Sequence, residues 1–423
     1  MEQKLDLLVF GATAFVGRLV VDYLARSYGA GQSLTWGIAG RNPDRLAQLK
    51  AQLVKDYGAE FQTLPILLAD SRNEVDLKTL CQQARVIFSA VGPYAVHGDL
   101  LVRVCAETGT DYCDLTGEPQ WIRRMQQAYE AVARRSGARI VNCIGFDSLP
   151  SDLGVLTLQQ RNVEATGKRC DAVEMRLKGA RGGFSGGTIG SLLQAIRELQ
   201  DNPALKQELA DPWSLCPADF HHSAATQSLA GATFHPPSGN WCMPFIMAPI
   251  NERVVYRTNA LLYGQAGAAF SYSEGVMIAP GGKGKLSARI ATGVMAAGLW
   301  LLNQRLSRTL MERWILPKPG SGPTPAAIAA GFFDMRFYGY CDGKLTQLLK
   351  VCAQGDPGYG ATSRMAGEAA VCLALDMVVS KTQEGGFYTP ASLLGGALIE
   401  RLQQRAGVTF EFLPLPSAPG TCQ

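Results

Sequence analysis

The first 145 residues alternate between short apolar runs and stretches where apolar residues return every three or four positions. Leu5–Phe10 is an apolar run broken only by Asp6 and closed by Gly11. Residues 15–26 follow with helical spacing (Phe15, Val16, Leu19, Val20, Tyr23, Leu24). Residues 34–39 read as a second strand, and Asn42 and Pro43 then supply an N-cap and a first-turn proline. Further strands are expected at 63–68, 85–89, 111–114 and 138–144, separated by helices near 74–83, 100–108 and 121–135. Parallel strands joined by helices need right-handed crossovers, which bury both faces of the sheet. The pattern predicts a Rossmann-type α/β domain, a doubly wound parallel sheet, over residues 1–152.

The pattern changes beyond Ser151. Residues 172–178 alternate like a half-exposed strand, and the glycine-rich 181–191 (RGGFSGGTIGS) opens a helix. Residues 211–250 read as irregular, with prolines at 212, 217, 236, 237, 244 and 249. A strand is expected at 254–258, helix over 286–316 and a turn at 320–325. Residues 332–340 and 344–353 read as a hairpin about Cys341, Asp342 and Gly343. After the turn Asp356-Pro357-Gly358, residues 361–379 form a well-patterned helix, and the proline-rich end from Leu413 reads as frayed. The expectation is a second, α+β domain.

Composition narrows the class without naming a chemistry. At 423 residues, 47% hydrophobic and 18% charged, the chain has enough apolar material for two folded domains. A net charge of +4 with no basic run gives no reason to expect nucleic acid. Arg123, Arg124, Arg134, Arg135 and Arg139 read as the wet face of one helix. Eleven cysteines without a C-x-x-C pair, and four histidines without ligand spacing, predict reduced thiols, a cytoplasmic location and no metal. Cys105, Cys113 and Cys143 sit in apolar runs and read as buried. Residues 1–10 lack the features of a secretory signal. The most apolar later stretch, 290–302, is shorter than the roughly 20 residues of a membrane span. Lys283, Lys285, Arg289, Arg305 and Arg308 flank it, so it reads either as a lipid-facing surface helix or as a core helix, the choice that length alone favours.

Candidate chemistry concentrates where strands of the first domain end. Gly11, Ala12, Thr13, Ala14, Phe15, Val16 and Gly17 lie between a strand and a helix, spaced G-x-x-A-x-x-G. There backbone N–H groups and the helix dipole can hold a pyrophosphate, with Gly11 allowing the turn and Gly17 the close helix–strand packing. A purely structural turn is the plainer alternative. Gly40, Arg41 and Asn42 end the second strand with an arginine where NAD sites carry an acid, and Arg45 stands one turn on. A guanidinium fork suits the 2′-phosphate of NADP(H), although an isolated arginine can simply be solvated. Ala90, Val91, Gly92 and Pro93 leave the fourth strand, small enough for a dinucleotide to cross, and Asp70 completes the cofactor set. Tyr94, His97 and Asp114 are the candidate catalytic groups, each able to steer a proton near the nicotinamide. Loop tyrosines and histidines also serve in packing, and Asp114, Asp147, Ser148 and Ser151 stand where helix caps are common.

The segments GATAFVG (11–17), IAGRN (38–42), SAVGPY (89–94), YCDLTGE (112–118) and GFDSLPSDLG (145–154) resemble the saccharopine dehydrogenase-like family of NADP-binding oxidoreductases. So do DPGYGATSRMAGEAA (356–370) and GGFYTPASLLGGALIERL (385–402). The resemblance is strongest to the branch of mycobacterial trans-acting enoyl reductases and vertebrate saccharopine dehydrogenase-like oxidoreductases. It implies NADP(H) contacts at Gly11, Thr13, Ala14, Phe15, Gly17, Arg41 and 91–93. It further implies that the second domain, 153–355, is inserted and serves substrate binding or dimerisation. Residues 356–412 would then return to the first domain as helices and a strand, with 413–423 as tail. The reaction expected is NADPH-dependent reduction of an enoyl or carbonyl group on a lipid- or polyketide-like substrate, with residues 261–270 and 290–302 lining an acyl tunnel. A saccharopine-type amino-acid dehydrogenase, anchored by Arg176, Lys178 and Arg181, and a non-catalytic NADP-binding membrane-associated scaffold are the alternatives. Peripheral membrane contact and a homodimer stay open.

Overall fold

Strand β1 (Leu5–Phe10) sends Leu7 and Val9 to one hydrophobic core and Leu8 and Phe10 to another. That is why it reads as a continuous apolar run: successive side chains point to opposite faces, and both faces are covered. The computed structural model describes residues 4–182, 186–225, 228–314, 322–377 and 384–416. Around β1 lie β2 (Trp36–Gly40), β3 (Ile66–Leu68), β4 (Ala84–Ser89), β5 (Asp111–Asp114) and β6 (Arg139–Val141). They form a parallel sheet in the order β6-β5-β4-β1-β2-β3, the doubly wound arrangement in which connections run out from the centre both ways. The helices Phe15–Tyr28, Pro43–Tyr57, Glu74–Gln83, Asp99–Thr108 and Pro119–Ser136 cover it, close to where the sequence puts them. Asn42 caps its helix by accepting the Arg45 amide at 2.9 Å.

The second sheet is mixed. Its strands are β7 (Ala172–Arg181), β8 (Thr233–His235), β9 (Asn240–Pro244), β10 (Ser271–Ala279), β11 (Phe332–Cys341) and β12 (Lys344–Gln354), with one more from the C-terminal segment. Only β7 and β10 pair in parallel. The helix Leu149–Thr166 packs against the β11–β12 hairpin and leads from the first sheet into the second. The expected strand at 254–258 is instead the middle of a helix, Ala248–Tyr263. Every residue from Ile250 to Ala260 is buried, so the segment shows no amphipathic period and its β-branched residues mislead. Strands β8 and β9 lie inside the stretch expected to be irregular. Strand β10 had no expectation, because Ser271, Ser273 and Glu274 are polar yet buried.

The C-terminal segment divides between the sheets. Strand β13 (Gly386–Tyr388) extends the first sheet beside β6, in parallel. The helix Thr362–Val371 packs on Phe15–Tyr28, but β14 (Val408–Phe412) pairs with β12 in the second sheet, where a return to the first was expected. Of the expected helix at 361–379, residues 378–379 lie outside the described residues, as do 183–185 of the glycine-rich segment, 320–321 of the expected turn and 417–423 of the tail. Leu413 still donates to the Leu348 carbonyl at 2.8 Å. Neither Ser148 nor Ser151 caps the helix beginning at Leu149: Ser148 donates to Asn251 at 2.9 Å and Ser151 to Glu274 at 2.6 Å.

One buried carboxylate ties the C-terminal segment to the first domain. Glu368 is fully buried and accepts Tyr23 Oη at 2.6 Å and Tyr28 Oη at 2.7 Å from the helix below, with Arg401 at 3.2 Å. Removing one partner of such a pair leaves an uncompensated buried charge. Arg401→Ala is expected to lower unfolding free energy by about 3 kcal/mol, read as a shift in urea midpoint. A shift no larger than that of a surface substitution would show that the two tyrosines suffice.

Candidate active site

The cradle at the end of β1 is set by two close approaches. Gly11 has φ +80°, and a Cβ there would lie 2.7 Å from Val91 Cγ2. A Cβ on Gly17 would lie 2.2 Å from the Gly11 carbonyl oxygen, so only glycine lets the helix sit this close. Ala14 is the N-cap residue, makes no side-chain cap bond, and no acid stands in the first turn. The dipole's positive end is therefore left for an external anion. The amides of Gly11 and Ala12 both donate to Ala39, whereas Thr13, Phe15 and Val16 surround the helix start. A groove of about 640 Å³ runs from Thr13 and Ala14 past Arg18 to Arg45 and Gln48. Arg18, one helical turn beyond Ala14, joins the candidates here.

Gly40, Arg41 and Asn42 follow as β2 ends, with Arg41 exposed and without a hydrogen bond or ion pair among the described residues. The cradle thus presents a guanidinium without a partner among the described residues at the end of the second strand, where dinucleotide-binding sheets generally read the adenosine ribose. Asp70, by contrast, is engaged: it accepts Arg72 Nε at 3.2 Å and the Arg72 amide at 2.9 Å, and these bonds hold its carboxyl below the usual range. His97 stands on this side as well. Desolvation and the charges of Arg41 and Arg72 depress its pKa, with Asp70 opposing them. The charged groups acting on it, Arg41, Arg72 and Asp70, follow β2 and β3.

Across the sheet edge, Ala90 and Gly92 border a second space, an apolar cavity of about 340 Å³. Leu115 and Gly145, following β5 and β6, complete that wall with Val16 from the cradle. The facing wall comes from the second domain: Ile189, Leu192 and Ala195 on the helix Gly186–Asp201, and Met247 and Ile250 at the start of Ala248–Tyr263. We call Gly186–Asp201 the roof helix. Thr362 adds a corner from the C-terminal segment and accepts the Phe146 amide at 3.0 Å. The expected tunnel segments are elsewhere: neither 261–270 nor 290–302 contributes to the cavity, and Ile290, Val294 and Trp300 are exposed.

Two of the three candidate catalytic groups near the cavity are fully occupied. Tyr94 Oη donates to the Ser89 carbonyl at 3.0 Å and accepts the Leu115 amide at 3.2 Å, and burial raises its pKa well above the usual value. Asp114 is fully buried and does not line the cavity, accepting Tyr112 Oη, Asn142 Nδ2 and the amides of Thr116 and Cys143. Burial pushes its carboxyl up to about 7, against the pull of those donors. Both hold the loops after β4, β5 and β6 in place. The carboxyl that does line the cavity is Asp147. It has no hydrogen-bond or ion-pair partner among the described residues, and burial alone pushes it up to about 6. Part of its surface stays open to the cavity, while the surrounding protein withdraws it from bulk water. The motif GFDSLPSD placed it at a strand end, but only the fold separates it from the neighbouring acids.

A dinucleotide cradle beside an apolar cavity walled by both domains is the organisation of a nicotinamide-dependent oxidoreductase. Residues 7–141 match the family described as the saccharopine dehydrogenase NADP binding domain. A Mycobacterium tuberculosis protein named as a candidate trans-acting enoyl reductase is 37% identical over 98% of this chain and 99% of its own. A trans-acting enoyl reductase of Mycobacterium bovis is 33% identical over 95% and 96%. Among solved structures, apo saccharopine dehydrogenase (L-Glu forming) from Saccharomyces cerevisiae, 14% identical, superposes with a TM-score of 0.52 over 96% of this chain and 99% of that one, a likeness of fold. The chain belongs to the saccharopine dehydrogenase-like family of NADP-binding oxidoreductases, in the branch of the trans-acting enoyl reductases. Its cofactor is NADP(H), and a small molecule is its substrate.

The residues of the cradle fit that cofactor, which gives two expectations. Gly17→Leu is expected to weaken NADPH at least tenfold, because the helix must leave the strand and carry its amides off the pyrophosphate. Unchanged affinity by fluorescence titration would place the pyrophosphate elsewhere. Arg41→Ala is expected to weaken NADPH by roughly ten- to a hundredfold and leave NADH nearly unchanged, since only NADPH carries the 2′-phosphate. Equal loss for both cofactors would give Arg41 a structural role. If Arg45 reaches the same phosphate, adding Arg45→Ala will be non-additive.

Proposed function

We propose that the chain uses NADPH to reduce the carbon–carbon double bond of an enoyl group on a lipid- or polyketide-like acyl chain. The observation that carries this reading is the cavity: apolar on the side of the second domain, bordered by the cofactor loop, and holding a carboxyl, Asp147, without a partner among the described residues. The names of the mycobacterial relatives support the same chemistry. Gly11, Thr13, Phe15, Val16 and Gly17 hold the pyrophosphate, Arg41 and Arg45 the 2′-phosphate, and 90–93 border the nicotinamide. NADPH, when bound, supplies the hydride to the β-carbon. The chain's own part is to hold the acyl group against Ile189, Leu192 and Met247, to keep water out, and to keep a proton on Asp147. That proton goes to the α-carbon as the double bond becomes single, which balances the hydride.

A saccharopine-type reaction needs cations for several substrate carboxylates. Arg176 does not serve: it is buried in the second sheet, bonded to Ser273 and paired with Glu174 at 3.1 Å. Lys178 and Arg181 lie on the same strand, outside the cavity. These placements favour a neutral acyl substrate.

The proton donor must be protonated to act, so kcat/KM is expected to fall as pH rises through about 6, by roughly tenfold per unit above it. Asp147→Asn is expected to lose roughly a hundredfold or more in rate on a long-chain trans-2-enoyl thioester, together with that inflection. It is also expected to be more stable at pH 7. A raised carboxyl pKa means the folded state binds the proton more tightly, so stability falls between the unfolded pKa near 4 and the folded value near 6. An Asn variant that keeps both the rate and the inflection would remove Asp147 from the reaction.

A further inference from the structure

The helix Gly281–Asn303 carries an apolar stripe that the protein does not cover. Leu286, Ile290, Val294, Ala297, Trp300 and Leu301 recur at helical spacing on one side, and Val294 is 68% exposed. Gly284, Ala288 and Leu302 are the buried residues, so the helix lies along the protein surface on its opposite side. The next helix, Arg305–Trp314, continues the stripe with Leu306, Leu310 and Trp314, of which Leu306 is 86% exposed. The expectation of a core helix at 290–302 is thereby corrected. A contiguous patch of this kind on a soluble surface marks an interaction site.

Charge selects the occupant. Residues 281–314 hold six lysines and arginines and one carboxylate, Glu312. Glu312 is paired with Arg197 at 2.6 Å, and Arg308 is buried against Gln200. Lys283, Lys285, Arg289, Arg305 and Arg313 therefore surround the stripe without a carboxylate partner among the described residues. Two copies placed face to face would oppose like charges, whereas an anionic bilayer offers both acyl chains and negative headgroups. Tryptophans at the stripe's end suit the headgroup level.

The same pair of helices is bolted to the back of the roof helix. Leu193 and Ile196 of the roof pack with Leu302, and Met311 joins that cluster. Gln200 of the roof also donates to Asn303 Oδ1 at 3.3 Å. The roof's other side, at Ile189, Leu192 and Ala195, is the cavity wall. We propose that Gly281–Asn303 and Arg305–Trp314 dock the enzyme flat on an anionic lipid surface, and that docking shifts the roof helix to open the cavity to an acyl chain in that surface. This rests on reading the cavity as an acyl site.

The test reads binding and opening without turnover, so it stands apart from the fate of the enoyl reaction. The full chain should float with vesicles of phosphatidylglycerol and phosphatidylcholine, more weakly at high salt, and not with phosphatidylcholine alone. The pair Val294→Glu and Leu306→Glu, both at exposed positions, should cut flotation roughly tenfold while NADPH affinity is kept. Hydrogen exchange across 189–201 should accelerate when the anionic vesicles are added. No flotation at low salt, flotation indifferent to the two glutamates, or a variant that instead turns a dimer into a monomer by light scattering would overturn the docking. Unchanged or slowed exchange in the roof helix would overturn its coupling to the cavity.

Discussion

The carboxylate of Glu118 is the interaction on which the site's geometry depends. It is buried at the start of the helix Pro119–Ser136 and accepts the amides of Tyr94 and Ala95 at 3.0 and 2.8 Å, fixing the loop that carries 90–93. Its Oε1 also accepts Ser191 Oγ of the roof helix at 2.7 Å. One group thus holds the cofactor loop and the opposite wall of the cavity in register. Burial raises its pKa, and the three donors pull it back. Gln120 and Arg124 extend the contact by reaching Glu198, farther along the roof, at 3.3 and 3.4 Å. The roof is therefore seated by a few polar bonds at its front and by a small apolar cluster at its back. Such a seat is easier to shift than a continuous core.

What could be read before the fold was known follows from how far a residue's role depends on its sequence neighbours. The cradle was legible because Gly11, Ala14 and Gly17 act within seven residues, and their spacing is the mechanism. Arg41 was legible because the strand it ends is adjacent to β1 in space and nearly so in sequence. The charges that act on His97 were not legible, because a position in sequence after β4 does not say toward which neighbouring strand a loop turns. Asp114 and Asp147 look alike in sequence, each after a strand and each beside small residues. Only the fold supplies four donors to the first and, among the described residues, none to the second.

The second domain was less legible for two physical reasons. Its central helix, Ala248–Tyr263, is buried nearly all round, so the periodic signal of a half-buried helix is missing. Its sheet buries polar groups in pairs, such as Glu274 with Ser151, Asn251 and Tyr272, which disguises β10 as a surface segment. The division of the C-terminal segment between two sheets was likewise beyond local pattern, because which sheet β13 and β14 join is set by partners far away in sequence.

The charges of the cavity's surroundings bear on which molecules it can accept. Among the described residues, Arg253 is the one cation that lines it. Its guanidinium is spent: Nε donates to Ser214 Oγ at 3.1 Å, and the two terminal nitrogens donate to the carbonyls of Pro249 and Leu209. Burial lowers its pKa, with Glu252 and Asp211 opposing the shift. A substrate carboxylate entering here would have to draw those donors away from the Ser214 hydroxyl and the two carbonyls that they already serve. An acyl chain makes no such demand and gains contact with Ile189, Leu192, Met247 and Ile250. The cofactor end repeats the logic with opposite sign, for there Arg41 is left without a partner and the helix without a cap. Positive charge is thus free around the cradle and consumed in the cavity, which suits an anionic cofactor at the first and disfavours an anionic group at the second.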